Sequence, residues 1–156
     1  MSIIEAGGSR AARLAVVEEH VRLENRHDLH GIMGTFGASA RYDEEPWDDH
    51  HIGRDAVRGY YDRLFRALPD LLIDVRQRHV AEEAVLLEVM ISGHHLGAWR
   101  GLPPTGRPLR FPLCGIFTFD ARIGWQARRS ITTAPQCYGS WAFSTSRTAW
   151  LAASRR

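Results

Sequence analysis

The sequence predicts one α+β domain in which three helices come before a meander of strands. Its first half carries three apolar stripes at helical spacing, whereas from Leu71 onward apolar and polar residues alternate, as in a half-buried strand. Helices that precede the strands, instead of alternating with them, exclude a doubly wound parallel sheet. A chain of 156 residues suits one domain with its own core, and we assign residues 1–156 to it.

The three helices are predicted from their caps and stripes. Ser9 can cap a helix over Arg10–Arg26, and Asp28 can cap a short helix over Asp28–Phe36. A third helix over Asp55–Leu68 stops at Pro69. The apolar positions that carry these stripes are Leu14, Val17 and Val21, then Leu29, Ile32, Met33 and Phe36, then Val57, Tyr60, Tyr61, Leu64 and Leu68.

The strands and loops follow from period-two alternation and from Gly and Pro content. Ala38–Glu45 fits a first strand, Pro46–Gly53 a polar loop, Leu71–Arg78 a half-buried strand and Ala81–Glu83 a turn. The nearly all-apolar segment Val85–Ile91 predicts a central strand that runs on to Gly97. A loop over Gly101–Arg107 then leads to a strand with Leu109, Phe111, Leu113, Phe117 and Phe119 on one face.

Composition excludes several classes of protein. No apolar run reaches the ~18–20 residues that cross a bilayer, and Met1–Ser9 lacks the features of a signal peptide, so we expect a cytoplasmic protein without membrane contact. Cys114 and Cys137 are therefore interpreted as reduced thiols. The sequence has no nucleophile elbow, no phosphate-binding Gly loop and no basic stripe interleaved with aromatics, which argues against nucleic-acid binding.

The C-terminal segment has a different composition from the rest of the chain. Residues 1–120 hold 14 Arg and all 18 acidic residues, whereas residues 121–156 hold 6 Arg and no acid. We therefore predict that residues from about Ala121 derive from a shifted reading frame, which sequencing of the source gene would test. In that case Trp125–Thr133 still pairs as the edge strand. Ala134–Arg156 packs poorly and exposes Trp141 and Trp150.

Two clusters contain candidate metal ligands or proton carriers. The run from Trp47 to His51 offers two carboxylates and two imidazoles, but adjacent loop residues rarely converge on one ion, and we predict a solvated loop without metal. His94 and His95 end the central strand and must point to opposite faces of the sheet. Because side chains alternate along a strand, His95 shares a face with Val85, Leu87, Val89 and Ile91. A His that points inward is either a general acid or base or a hydrogen-bonded structural group.

A third cluster lies on the first strand, where Tyr42 and Glu44 share one face. A Glu that faces a pocket has its pKa raised by desolvation and can carry a proton, although three consecutive acids are more often a solvated edge. Aromatic side chains nearby in the predicted fold either line a ligand site or fill the core; they are Trp47, Tyr60, Tyr61 and Trp99.

The stretch Gly93–Arg107 resembles the SnoaL-like polyketide cyclases and ester cyclases of the nuclear-transport-factor-2-like superfamily. These proteins have a Gly, a His two positions on, a further Gly and a GxPPTGR loop, which correspond to Gly93, His95, Gly97 and Gly101–Arg107. The segment Gly53–Tyr61 is also similar to their entry into the third helix, and the resemblance covers about Arg10–Asp120. It implies a cone-shaped, strongly curved, mostly antiparallel sheet closed by helices over a pocket, often in a homodimer, without metal or organic cofactor.

The chain departs from the catalytic pattern that this resemblance implies. In cyclases of the family an Asp on the last strand is the acid/base for an intramolecular aldol closure, assisted by His, Gln and Asn. Here Leu113 and Gly115 stand at the helper positions, and Trp125–Thr133 contains no carboxylate. No catalytic residue is carried over from the family.

We therefore hold two functional hypotheses. In the first, an enzyme carries out proton transfer, by cyclisation or isomerisation, on a polyketide-like or other carbonyl compound, with Glu44 or His95 as the catalytic residue. The residues expected to bind the substrate are Tyr42, Trp47, Tyr61, Met90, Trp99 and Cys114. In the second, the chain is a non-catalytic apolar-ligand-binding or dimerisation module, or a family member that has lost its active site.

Overall fold

A computed structural model describes residues 9–119 and the backbone of residues 125–131. Within these residues the chain forms three α-helices, one short 3-10 turn (Glu45–Trp47) and a six-stranded sheet. The helices are α1 (Arg10–Asn25), α2 (Leu29–Thr35) and α3 (Arg54–Ala67). The strands are β1 (Phe36–Glu44), β2 (Asp49–Ile52), β3 (Leu72–Val80), β4 (Ala84–His94), β5 (Pro108–Phe119) and β6 (Trp125–Ile131). The predicted α+β class with three helices is confirmed.

The helices begin and end where their caps require. The side chains of Ser9 and Asp28 accept hydrogen bonds from the first turns of α1 and α2, as the sequence predicts. Phe36 belongs to β1 and not to α2, so helix and strand follow each other without a loop. Arg54 joins these elements, because its guanidinium donates to the carbonyl oxygens of Met33 and Phe36 at 2.8 and 3.1 Å.

The last described strand corrects the predicted strand order. The order is β2-β1-β6-β5-β4-β3, so β6 does pair, but it lies in the centre of the sheet and not at its edge. It runs antiparallel to β5 and parallel to β1. The β5–β6 contact is predictable because the two strands are consecutive in the sequence. The parallel β1–β6 contact joins segments far apart in the chain, and no local sequence pattern indicates it.

The predicted polar loop over Pro46–Gly53 is also wrong, because Asp49–Ile52 forms the edge strand β2. An edge strand can be polar, since backbone pairing with one neighbour needs no apolar face.

Asp43 pairs with His50 in this ladder and is only 2% exposed. Its carboxylate accepts hydrogen bonds from Arg41 Nε at 2.8 Å and from His50 Nδ1 at 2.7 Å, so the acidic run is not a solvated edge at this residue.

The core lies between the helices and one face of the sheet. On β4 this face is formed by Val85, Leu87, Val89 and Ile91, which are all buried. On β5 their partners Phe117 and Leu113 lie on the same face, and α1 and α3 cover it with Val17, Val57 and Tyr61. The strand predicted over Val85–Ile91 is therefore confirmed, and the structure adds which of its faces is buried, although β4 ends at His94, before Gly97.

Two further predictions concern residues that lie wholly or partly outside the described ranges. The packing of Ala134–Arg156 and the exposure of Trp141 and Trp150 belong to residues outside them. The reading-frame origin of residues 121–156 stays a prediction.

Among the described residues, no helix has both the length and the apolar character that crossing a membrane requires.

Candidate active site

A directed chain of hydrogen bonds leads to the carboxylate of Glu44 at the end of β1. The Tyr60 hydroxyl, from the middle of α3, lies 2.7 Å from Glu44 Oε1 and 3.2 Å from the Tyr42 hydroxyl. A phenol has one proton, so Tyr60 donates to the carboxylate and Tyr42 donates to Tyr60. Burial, and secondarily the charge of Glu44, raise the pKa of Tyr60 well above its ordinary value. Tyr60 therefore stays a donor at neutral pH.

Arg100 closes the other side of Glu44. Its guanidinium donates to Glu44 Oε2 and lies 2.9 Å from Asp49 Oδ2. The same group lies between two indole rings, 5.1 Å from the Trp47 centroid and 5.3 Å from that of Trp99. Glu44 keeps a side-chain exposure of 14%, so the carboxylate is enclosed by aromatic rings but not sealed.

A tight turn aims Arg100 at this position. Trp99 and Leu102 exchange two backbone hydrogen bonds of 3.0 and 2.8 Å, and the residues between them, Arg100 and Gly101, have φ of 49° and 80°. Two positive φ angles in a two-residue turn are typical of type I′, where Gly is at ease but an Arg costs about 1 kcal/mol. Left-handed non-Gly residues are often kept at functional sites.

His51 on β2 is a member of the site that the sequence analysis did not select. It is 8% exposed, and its ring lies 4.7 Å from that of Tyr60. Burial lowers its pKa, an effect that nearby Asp49 only partly offsets, so the imidazole is neutral near pH 7. Its Nε2 is buried without a hydrogen-bond partner among the described residues, 3.4 Å from Asp49 Oδ2. Only the β2 pairing, which the sequence did not indicate, turns this residue inward.

The other predicted proton carrier, His95, holds a loop. It is 2% exposed and shares the buried face of β4, whereas His94 points outward to Asp70. Its Nδ1 lies 3.1 Å from Thr105 Oγ1, and its backbone bonds Thr105, Gly106 and Arg107. Burial lowers the pKa of the imidazole. Through these contacts His95 holds the Gly101–Arg107 loop in place, which is a structural role. Its role as a proton carrier stays a prediction.

The residues predicted to bind substrate fall into two groups. Tyr42, Tyr61 and Trp99 form one aromatic cluster around Tyr60, with the Tyr61 ring 5.6 Å from those of both Tyr42 and Tyr60. Trp47 is 52% exposed and joins this cluster through the Arg100 guanidinium. Met90 and Cys114 lie on the opposite face of the sheet, next to exposed Glu88. They cannot line one pocket with the cluster, because strand alternation turns them away from the helices. Burial and Glu88 raise the pKa of the Cys114 thiol.

A second polar group lies deep in the core and was missed by the sequence analysis. His20 and Glu24, one turn apart on α1, are 0% and 1% exposed. The His20 ring contacts the Thr35 hydroxyl at 2.8 Å and the Tyr61 hydroxyl at 3.0 Å. The signal that could have found them was their position: with Val17 and Val21 they occupy i, i+3, i+4 and i+7 of the buried stripe.

The described residues contain no group of three or more His, Cys, Asp or Glu side chains arranged to hold a metal ion. The two acids and two histidines of residues 48–51 are instead divided by strand alternation. His50 points to Asp43 and Asp48, whereas His51 points to Tyr60. The cluster that looked most like a metal site in the sequence is therefore split between two faces.

The lowered pKa of His51 predicts a pH dependence of stability. The unfolded chain takes up a proton on this residue near its ordinary pKa of 6.5, before the folded chain does. Stability from this group is thus fully present above about pH 6.5 and is lost as the pH falls toward the lower folded-state pKa. We expect the free energy of unfolding, measured with urea at about pH 7 and about pH 5, to fall less in His51→Asn than in the wild type.

A control separates this effect from other titrating groups. His30 is exposed on α2, and His30→Asn should keep the wild-type pH dependence. An equal fall in the wild type and in His51→Asn would contradict the assignment of this pH dependence to His51.

Comparisons with known proteins place this geometry among related folds. A family model for the SnoaL-like domain matches residues 17–123. AclR from Streptomyces galilaeus, provisionally described as a hydroxylase, is 23% identical, with a TM-score of 0.71 over 84% of this chain and 96% of its own. SalBIII, an epoxide hydrolase/cyclase-like enzyme of pyran ring formation in salinomycin, is 19% identical, with a TM-score of 0.68 over 80% of this chain and 92% of its own.

A third similar structure is a provisionally assigned polyketide cyclase from Xanthomonas campestris pv. campestris. It is 14% identical, with a TM-score of 0.75 over 85% of this chain and 98% of its own. Identities this low establish the fold alone. A search of curated proteins finds no match for the chain.

Proposed function

Because the chain belongs to the SnoaL-like domain family, we propose that it binds a small carbonyl compound and catalyses proton transfer at the carbon next to the carbonyl group. The observation that carries this proposal is the Glu44 carboxylate, largely buried and held between the Tyr60 hydroxyl and the Arg100 guanidinium inside an aromatic cluster. A polyketide-like compound suits such an enclosure, because aromatic rings bind extended apolar surfaces.

Glu44 can act as a base while it keeps both contacts. A carboxylate has about four acceptor positions, and Tyr60 and Arg100 occupy one on each oxygen. A remaining lone pair takes the proton from the α-carbon, and the electrons of the broken C–H bond form an enolate. Return of the proton to another carbon gives isomerisation. In cyclisation the enolate carbon attacks a second carbonyl group of the ligand, and the alkoxide that forms takes the proton back from Glu44.

The position of the acid/base differs from the family pattern that the sequence resembles. That pattern needs a carboxylate on the last strand, and β6 contains none in its sequence WQARRSI. Glu44 lies on β1, the parallel neighbour of β6, with Glu44 in register with Ser130. This adjacency supports a transfer of the acid/base function by one strand within the same sheet.

The similar structures support the class of reaction. SalBIII is described as an epoxide hydrolase/cyclase-like enzyme, and the Xanthomonas protein as a provisional polyketide cyclase. Both descriptions include ring closure within one organic molecule. For this chain we propose only this class of reaction, ring closure within one molecule, and a ketone as the substrate.

Hydrogen–deuterium exchange tests the proposal without knowledge of the natural substrate. β-Tetralone exchanges its α-hydrogens in deuterated water, and NMR follows the loss of their signal. We expect the wild-type protein to accelerate this exchange, and β-tetralone to quench the fluorescence of Trp47 and Trp99, which lie beside the site. Quenching without acceleration, across a panel of ketones and diketones, would contradict the proposed catalysis.

That outcome would favour a second function, apolar-ligand binding without turnover. The observation in its favour is that each oxygen of Glu44 already has a hydrogen-bond partner, Tyr60 on Oε1 and Arg100 on Oε2. A homodimer would accompany either function through the face of the sheet that none of the described helices covers. Half-buried Leu86, Met90 and Ile116 on that face support it. Sedimentation measurements at several protein concentrations test the dimer.

A further inference from the structure

Within the part of the chain that the structure describes, Arg100 binds carboxylates through only one of its guanidinium nitrogens. Nη2 donates to Glu44 Oε2 and lies 2.9 Å from Asp49 Oδ2. Nε is buried without a hydrogen-bond partner and is closed to a ligand. Nη1 has no hydrogen-bond partner among the described residues and is not a buried atom, and the Arg100 side chain keeps an exposure of 23%. The N–H groups of Nη1 are therefore open to a ligand beside Glu44.

The shape of the guanidinium fixes where such a ligand would lie. Arg100 ends in a rigid, planar fork, and its two terminal nitrogens are spaced much like the oxygen and the α-carbon of a ketone. Nη2 holds the Glu44 carboxylate. A ketone whose oxygen accepts from Nη1 therefore has its α-carbon close to the oxygen that accepts from Nη2. One side chain thus brings the proposed base and the carbonyl group together.

Proton transfer in this arrangement moves negative charge across the guanidinium and not away from it. Before the transfer the charge lies on the Glu44 carboxylate, and after it the charge lies on the enolate oxygen. Nη2 contacts the first of these groups, and Nη1 would contact the second. Arg100 therefore stabilises the enolate as it stabilised the carboxylate, in a largely buried site where the interaction is stronger than in water.

The second carboxylate on Arg100 bears on the class of ligand. Glu44 and Asp49 together carry more negative charge than one guanidinium neutralises. A ligand with a carboxylate next to its carbonyl group would add a third negative group, and repulsion would oppose its binding. The rings of Trp47 and Trp99, with centroids 5.1 and 5.3 Å from the guanidinium, offer apolar surface to a flat ligand beside it. The site therefore suits a neutral, flat ketone.

We infer that Nη1 of Arg100 donates a hydrogen bond to the carbonyl oxygen of a neutral ketone, which makes Arg100 a catalytic residue beside Glu44. The inference rests on the proposed function and adds the group that recognises the carbonyl oxygen. Glu44 takes a proton from the α-carbon, the C–H electron pair becomes the carbon–carbon double bond, and the carbonyl π electrons move onto the oxygen held by Nη1. Return of the proton to carbon reverses these shifts, and no further reactant is needed.

Binding measurements test the contact without any need for turnover. Arg100→Gly removes the guanidinium, and because Gly adopts a φ of 49° without strain, the turn should be kept. Tetralin has the shape of β-tetralone but no oxygen. From tryptophan quenching we expect the wild type to bind β-tetralone roughly tenfold more tightly than tetralin, and Arg100→Gly to bind the two within about twofold. The Kd of tetralin should stay within about threefold between the proteins, which controls for collapse of the site.

A second variant tests the fork through the exchange of β-tetralone. Arg100→Lys keeps the positive charge, but an ammonium group cannot hold two oxygens side by side in one plane. We expect its kcat to fall roughly 100-fold. The control is Arg66→Lys, because Arg66 also pairs with a carboxylate, that of Asp62, but with a side-chain exposure of 76%. This variant should keep the wild-type kcat.

The outcomes separate this inference from the proposed function. If Arg100→Gly keeps the preference for β-tetralone over tetralin, the carbonyl oxygen is not held by Arg100, and the inference is overturned while the proposed function stands. A fall of kcat in Arg100→Lys together with that unchanged preference would mean that Arg100 only positions Glu44. Wild-type kcat in Arg100→Lys also overturns the inference. Absence of exchange in the wild type overturns the proposed function, and the binding preference still decides whether Arg100 holds the carbonyl oxygen.

Discussion

Replacement of Gly97 by Ala is expected to lower the free energy of unfolding by about 3 kcal/mol. A Cβ at this position would lie 2.2 Å from the carbonyl oxygen of Arg66 and 3.0 Å from Ala67 Cα. These are backbone atoms at the end of α3, which cannot turn aside as a side chain does. The backbone N–H groups of Leu96 and Gly97 also donate to the Ala67 carbonyl at 2.9 and 3.1 Å. The new methyl group would force these contacts apart.

Urea unfolding measures this effect, and α2 offers a matched control. A methyl group added at Gly34 would meet no heavy atom within 4 Å outside its own helix backbone and chain neighbours, so Gly34→Ala should keep or raise stability, by up to about 1 kcal/mol. Because Trp99 and Arg100 follow Gly97 closely, Gly97→Ala should also weaken the quenching of tryptophan fluorescence by β-tetralone. Wild-type stability in Gly97→Ala would mean that the loop does not pack on α3 as described.

Replacement of Glu44 by Gln is expected to slow the exchange of β-tetralone roughly 100- to 10,000-fold. The amide is close to the carboxylate in shape and can accept from Tyr60, but it cannot take a proton from carbon. Its NH2 group would also face the guanidinium of Arg100, where two donors repel each other. Asp49 keeps one contact with Arg100, which limits the structural damage.

The control for Glu44 is its neighbour. Glu45 is exposed in the 3-10 turn, and Glu45→Gln removes the same charge from the same segment. We expect this variant to retain wild-type kcat, which would assign the loss in Glu44→Gln to the carboxylate itself and not to the local charge. Equal rates in Glu44→Gln and the wild type would remove Glu44 as the base and leave His51 as the next candidate in the cluster.

Sequence periodicity predicted the candidate site in part. Glu44 and Tyr42 were expected on one face of a strand, and the structure brings both to Tyr60. Arg100 was not selected, because its role depends on a turn that folds it back over a residue 56 positions earlier. His51 was assigned to a loop, since the polar strand β2 has no apolar alternation to reveal it.

The sequence by itself determined the class of the fold, the three helices, the position of β4 as an apolar strand and the family. These features depend on local patterns: caps, stripes of 3.6-residue period and alternation along one strand. Tertiary structure alone decided that β6 lies between β1 and β5, that Met90 and Cys114 face away from Tyr61, and that His20 meets Tyr61 in the core. Such contacts join residues far apart in the chain, and their energy comes from packing that no single segment contains.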